Sequence, residues 1–245
     1  MSSTRLPGKP LKLINGLSMI EHVRRRVSLC EIIKDVIVAT CDVEIVREIE
    51  SNGGKAVMTS NKHKSCIDRV AEAACNLKAE VIINVQGDMP LVNPNSLDGL
   101  IKPLLLDSSI QFTDMISSIT DLSEINNPNV VKVVTSLSGF AIYYSRKAIP
   151  TQIMKPNANN KYFKQLGINA FRKKSLIHFS KLKRSYLEIS ESIDMLRLLD
   201  NDLKIKMVKT EFPSLGVDTP DDLINIQALF RKDKLMSKYH RIVDE

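Results

Sequence analysis

Tryptophan is absent from the 245 residues, and aromatic side chains of all kinds make up only 5% of them. A surface that stacks nucleic-acid bases interleaves aromatics with cations. The densest basic stretch, FRKKSLIHFSKLKR (171–184), lacks that interleaving. The net charge of +7 comes from 35 basic and 28 acidic residues mixed along the chain. Such a mixture fits a solvated basic face or an anionic small substrate better than nucleic acid. Cysteine is scarce too: Cys30, Cys41, Cys66 and Cys75 have neither CxxC nor CxxH spacing, which excludes the usual metal and redox motifs. No apolar run approaches the ~20 residues of a membrane span. Pro7, Gly8 and Pro10 interrupt the N-terminus, so no secretory signal is legible there. The expectation is a reduced, soluble, cytoplasmic protein. A single domain of this length buries roughly 70 to 75% of its unfolded surface, enough to dispense with disulfides or structural metal.

The first half alternates short β-branched runs with amphipathic ones. DVIVAT (35–40) reads as a strand, and VEIVREIESNGG places Val43, Ile45, Val46 and Ile49 at helical spacing before a Gly pair that stops the helix. KAVMTS then leads to CIDRVAEAACNLKA, and EVIINVQG to NPNSLDGLIKPLLLD, whose Pro94 suits a helix start. This alternation predicts parallel strands with right-handed crossovers. The second half differs: QFTDMISSIT, VVKVVTS, FAIYYSR and QLGINAFRK are strand-like with fewer helices between them, which predicts a mixed or antiparallel extension over about 110–175. PTQIMKPNANNKY reads as a polar loop. A helix near EISESIDMLRLLDND, a strand KIKMVKT and a helix opening at TPDDLINIQALF, capped by Thr219, complete the chain. Without repeats or linkers, one domain over 1–245 is expected.

Ligands of open α/β sheets bind beyond the carboxyl ends of the strands. Asp88 follows VIINV and a Gly that permits close backbone approach, and Asp218 stands before the last helix, so the pair is a candidate for one shared Mg²⁺. Both positions also suit a turn former or a helix cap. At the N-terminus, Arg5 and Lys9 flank Pro7 and Gly8, a rigid turn with two cations and an amide open to an anion. The GxxxxGK[ST] spacing of a P-loop is absent.

SSTRLPGKPL, INVQGDMPLV, NPNVVKVV, GFAIYYSR, FKQLGI and GVDTPDDL, in that order from residue 1 to about 230, resemble segments of the 3-deoxy-manno-octulosonate (Kdo) cytidylyltransferases. The resemblance implies a Rossmann-like three-layer nucleotide-diphospho-sugar transferase fold, with a mostly parallel sheet, a mixed extension and a homodimer contact in that extension. It implies transfer of CMP from CTP to the anomeric hydroxyl of a 3-deoxy-2-keto sugar acid, with release of pyrophosphate, for surface polysaccharide or lipopolysaccharide synthesis. It assigns Arg5 and Lys9 to the triphosphate, Asp88 and Asp218 to Mg²⁺, and Ser65, Arg69 and Gln86 to the nucleotide. Arg146 would face the sugar's carboxylate, with Gln165, Asn169, Asp194 and Met195 around the sugar. Glu191 and Arg197 would support the same region.

Departures from the family pattern cluster. Cys66 and Ile67 replace Gly and Thr near the nucleotide, while Gln165, Asn169 and Met195 replace His, Tyr and Gln in the sugar pocket. Losing hydrogen-bonding groups there predicts an altered sugar acid, such as 8-amino-Kdo or a nonulosonate, or a non-catalytic nucleotide-binding homologue. Relatives also carry an apolar strand and a P-A-R segment ahead of SSTR, where this sequence has Met1; the favoured expectation is a start upstream of Met1, and the alternative is loss of that strand with much of the activity.

Overall fold

The computed structural model describes residues 6–151, 162–212 and 215–240. Arg5 and most of the polar loop beginning at Pro150 lie outside them. In chain order the elements are β1 (Leu13–Ile14), β2 (Leu17–Ser18), α1 (Met19–Ser28), β3 (Ile37–Thr40), α2 (Val43–Ser51), β4 (Lys55–Met58), α3 (Cys66–Ala74), β5 (Val81–Asn84) and α4 (Pro94–Leu106). There follow β6 (Phe112–Ser118), α5 (Ser123–Asn126), β7 (Lys132–Thr135), β8 (Ala141–Ser145), β9 (Phe163–Arg172), α6 (Lys173–Phe179), α7 (Tyr186–Glu191), α8 (Leu196–Leu199), β10 (Lys206–Lys209) and α9 (Pro220–Phe230).

The chain divides into two compact units. The first comprises Met1–Lys62, Val85–Asp98 and Ser214–Glu245; the second comprises His63–Asn84 and Gly99–Pro213. In the first, β3 and β4 pair in parallel across α2, as the strand and helix alternation predicts. Its described apolar side chains include two clusters. Ile14, Met19, Val217, Ile226 and Phe230 form one, and Ile20, Ile45 and Ile49 form the other. Each such side chain fully removed from water contributes about 1.5–3 kcal/mol. The α1 helix is not among the elements expected from the sequence, although Met19, Ile20, Val23 and Val27 give it a buried stripe. The β1–β2 hairpin turns at Asn15 and Gly16, with φ 47° and 81°, the left-handed pair that a tight two-residue hairpin requires.

The second unit holds a six-stranded sheet ordered β10-β6-β9-β7-β8, with β5 added beside β9. Among its described ladders, only that between β10 and β6 is parallel. The ten-residue β9 pairs antiparallel with β5, β6 and β7. The fold is thus mixed α/β, but its described ladders are less parallel than the sequence pattern predicts, because one long strand serves three antiparallel neighbours. The core against this sheet includes Phe112, Tyr144, Phe171, Leu176, Phe179 and Leu198. The single helix expected near EISESIDMLRLLDND is instead α7 and α8. Ser192 takes a left-handed φ of 54° at the end of α7 and breaks the run.

Candidate functional site

Lys9 begins a short 3-10 turn whose preceding residue, Gly8, sits at φ 66°, a conformation that costs a residue with a Cβ about 1–2 kcal/mol. The turn is held by Lys9 N–H donating to the Leu6 carbonyl at 3.1 Å. From it the Lys9 Nζ donates to Asp88 Oδ2 at 2.6 Å and to Asp218 Oδ1 at 3.2 Å. Two loops far apart in sequence therefore bring both carboxylates to one cation. They are tied to each other by the backbone, Val217 N–H donating to the Asp88 carbonyl at 2.9 Å. Val217 itself is fully buried and anchors the Asp218 loop. Asp218 precedes the N-cap of α9, where Thr219 and Asp222 form a reciprocal capping box. Gly87, beside Asp88, has no room for a side chain without displacement: a Cβ there would stand 2.7 Å from Ile20 Cδ1. Gln86 is half-buried in the same loop.

Two carboxylates around one positive centre, partly open to solvent at 31% and 47% exposure, form a donor set that suits a hard divalent ion. Mg²⁺ is usually held by one or two carboxylates, with water and phosphate oxygens completing its octahedron. Among the described residues no cluster of three or more His, Cys, Asp or Glu side chains could cage a metal. The residues fit a shared, open cation site and not a closed structural one.

The second unit contains the remaining candidates. Ser65 caps α3, its Oγ accepting from Ile67 N–H at 3.2 Å and donating to Asp194 Oδ2 at 2.7 Å. Desolvation pushes the Asp194 carboxyl up, against the lowering effect of that Ser65 hydrogen bond. Arg69 is half-buried one turn into α3. Met195 is 1% exposed and packs in the core cluster, so its side chain acts as filling. Arg146 spends its guanidinium on backbone: Nε donates to the Glu191 carbonyl at 2.6 Å, Nη1 to Pro128 at 2.8 Å and Nη2 to Ser192 at 3.0 Å. Glu191 returns the contact by accepting from Arg146 N–H and Ser145 Oγ, both at 2.9 Å. Arg197 is 1% exposed; it binds Glu188 through Nε at 2.8 Å and Nη2 at 2.7 Å, and Asp68 through Nη1 at 2.8 Å.

Gln165 and Asn169 meet on a residue that the candidates above do not include. Asp114, on β6, is wholly buried, and its Oδ2 accepts from Gln165 Nε2 at 2.7 Å and from Tyr144 Oη at 2.9 Å. Asn169 lies opposite Asp114 in the ladder and accepts from Asn84 Nδ2 at 2.9 Å. Asn84 Oδ1 in turn faces the Cys66 Sγ at 3.8 Å. Burial pushes the Asp114 carboxyl up to about 7, while Tyr144, Gln165 and Asn169 pull it down. The signal for Asp114 was a lone carboxylate inside a strand-like run, QFTDMISSIT.

A family model described as Cytidylyltransferase matches residues 1–205. A 3-deoxy-manno-octulosonate cytidylyltransferase of Geotalea daltonii is 41% identical over 231 residues, covering 91% of each chain. One from Pelobacter propionicus is 41% identical over 239 residues, covering 94% of each. Among solved structures, a CMP:2-keto-3-deoxy-manno-octonic acid synthetase complexed with CTP superimposes with a TM-score of 0.87 at 34% identity, over 94% of this chain and 95% of that one. The chain belongs to the cytidylyltransferase family.

Proposed function

We propose that the protein transfers CMP from CTP to the anomeric hydroxyl of Kdo or a close analogue. The convergence of Lys9 with Asp88 and Asp218 carries this reading, and relatives with that activity in their names support it. The hydroxyl oxygen forms a bond to the α-phosphorus, the bond from that phosphorus to the bridging oxygen breaks, and pyrophosphate leaves with the electron pair. The hydroxyl proton goes to solvent or to the departing phosphate. Lys9, with Arg5 from the same segment, neutralises charge that moves onto the leaving group, an effect that grows as water is excluded. Asp88 and Asp218 would hold Mg²⁺, which when bound offsets phosphate charge.

Ser65, Arg69 and Gln86 are assigned to the nucleotide, and Arg146, Gln165, Asn169 and Asp194 to the sugar acid. Two guanidinium N–H groups of Arg146 remain beyond its three carbonyl contacts. A homodimer is part of the same proposal. A modified acid such as 8-amino-Kdo or a nonulosonate is the second reading, favoured by two hydrogen-bonded links, one from Cys66 through Asn84 to Asn169 and one from Gln165 to a buried carboxyl. Pyrophosphate release measured with CTP and each acid in turn tests the assignment. Kdo or an analogue must be required, and release with no acid in the panel would overturn it.

A further inference from the structure

A buried carboxyl in the middle of a sheet is costly unless something is gained from it. Asp114 has no charged partner among its hydrogen bonds. Tyr144 and Gln165 both donate to Oδ2, while Oδ1 is buried without a hydrogen-bond partner among the described residues. The backbone is irregular at the same place. Between Asp114 and Ile116 the ladder advances two positions on β6, but its partners on β9 run from Asn169 to Gln165, four positions. Gly167, at φ 71°, lies within that bulge. Bulges re-aim side chains, and here Gln165, four positions from Asp114's ladder partner Asn169, reaches the Asp114 carboxyl.

The polarity of this arrangement is fixed. An ionised carboxylate only accepts, and a neutral carboxyl that carries its proton on Oδ1 still leaves Oδ2 as the acceptor for Tyr144 and Gln165. Gln165 must therefore turn its NH₂ group toward Asp114. Its Oε1 is left without a hydrogen-bond partner among the described residues, on a side chain that is only half-buried. An isolated Gln offers a donor or an acceptor with equal ease; this one offers an acceptor.

We propose that Asp114 is a positioning residue for the acceptor pocket: it holds the Gln165 amide so that Oε1 faces the ligand, and the pocket selects a sugar acid that presents a hydroxyl or ammonium donor there. This rests on the assignment of Gln165 to the sugar acid. Asp114 acts through Gln165 and touches no substrate itself. Tyr144 shares the same carboxyl but not the amide, so it separates positioning from simple support of the fold.

The test uses Asp114→Asn, Gln165→Leu, their double variant and Tyr144→Phe in the full chain, with KM for Kdo and for CTP measured separately. Asp114→Asn lets the amide turn over and raises the KM for Kdo about tenfold, with the KM for CTP unchanged. In the Gln165→Leu background the same change has less than about a twofold effect, and Tyr144→Phe stays within about twofold of the parent. An unchanged KM for Kdo, multiplying effects in the double variant, or equal losses in Asp114→Asn and Tyr144→Phe would overturn the proposal. Comparing Kdo with its 8-amino analogue distinguishes a hydroxyl from an ammonium donor. If neither acid is turned over by the parent protein, the proposed function fails, and the Gln165 side-chain amide resonances still decide the positioning. They must shift in Asp114→Asn and hold in Tyr144→Phe; resonances unmoved by Asp114→Asn overturn it.

Discussion

Lys9 lies 79 positions from Asp88 and 209 from Asp218, yet its ammonium bonds both. If these carboxylates hold the catalytic cation, Asp88→Asn lowers kcat by about 10²–10³, the usual loss when one group that stabilises transition-state charge is removed. The midpoint of unfolding should stay near that of the parent, since Asp88 is partly exposed; steady-state pyrophosphate release and a urea titration measure the two. Each carboxylate alone was legible in the sequence, because it follows a strand or precedes a helix. Their meeting on one lysine was not, because one sequence carries no record of distant pairing. Asp114 was hidden for another reason: a carboxylate inside an apolar strand reads as an outward-facing residue until the sheet closes over it.

Arg197 shows the opposite balance of function and support. Its guanidinium is buried against Glu188 and Asp68 and lies 4.2 Å from the Phe179 ring. Arg197→Met leaves the buried Glu188 carboxylate with the Arg184 side chain and the Ser185 N–H as its remaining partners, and a broken buried pair costs about 3–5 kcal/mol. Urea unfolding should register that loss. His22 sets a pH dependence. It is fully buried, with Nε2 2.7 Å from the Ile14 carbonyl and Nδ1 3.0 Å from the Tyr239 hydroxyl. The geometry fits a neutral ring that donates from Nε2 and accepts at Nδ1. Desolvation leads the causes that lower its pKa to about 4, from 6.5. Between those values the unfolded chain binds the extra proton, so stability falls as pH drops from about 6.5 to 4, by at most about 1.4 kcal/mol per pH unit from this group. Comparing His22→Gln with the parent across that window should show the parent losing more; parallel curves would contradict it.

At the scale of elements, the longer apolar runs announced themselves, and the short turns did not. DVIVAT and KAVMTS contain β3 and β4, and Thr219 caps α9 as its position before Pro220 implies. The β1–β2 hairpin went unread although Asn15-Gly16 is a strong turn signal, because strands of two residues carry almost no alternation. The break between α7 and α8 depends on a left-handed Ser192, which no propensity marks. Gly167 tests how far an element's geometry governs the pocket. With φ at 71°, Gly167→Ala strains the bulge by about 1–2 kcal/mol. The expected result is a lower melting midpoint together with a raised KM for the sugar acid, since Gln165 and Asn169 lie on either side of the bulge. A loss of stability with an unchanged KM would confine the bulge to a structural role.

At the scale of the whole molecule, no helix among the described residues is long and apolar enough to cross a membrane. The mixed sheet and the match over residues 1–205 agree with the alternation and ordered segments legible along the chain. Which acid is activated was not legible, because selection depends on side-chain polarity within a hydrogen-bonded chain and not on residue type alone. Phosphorus NMR of the protein incubated with CTP, Kdo and Mg²⁺ decides whether CMP passes to a sugar acid. The three CTP resonances should give way to one phosphodiester signal and equimolar pyrophosphate, only when the acid is present. Persistence of CTP with Kdo and with its analogues, in a sample shown to be folded, would contradict it.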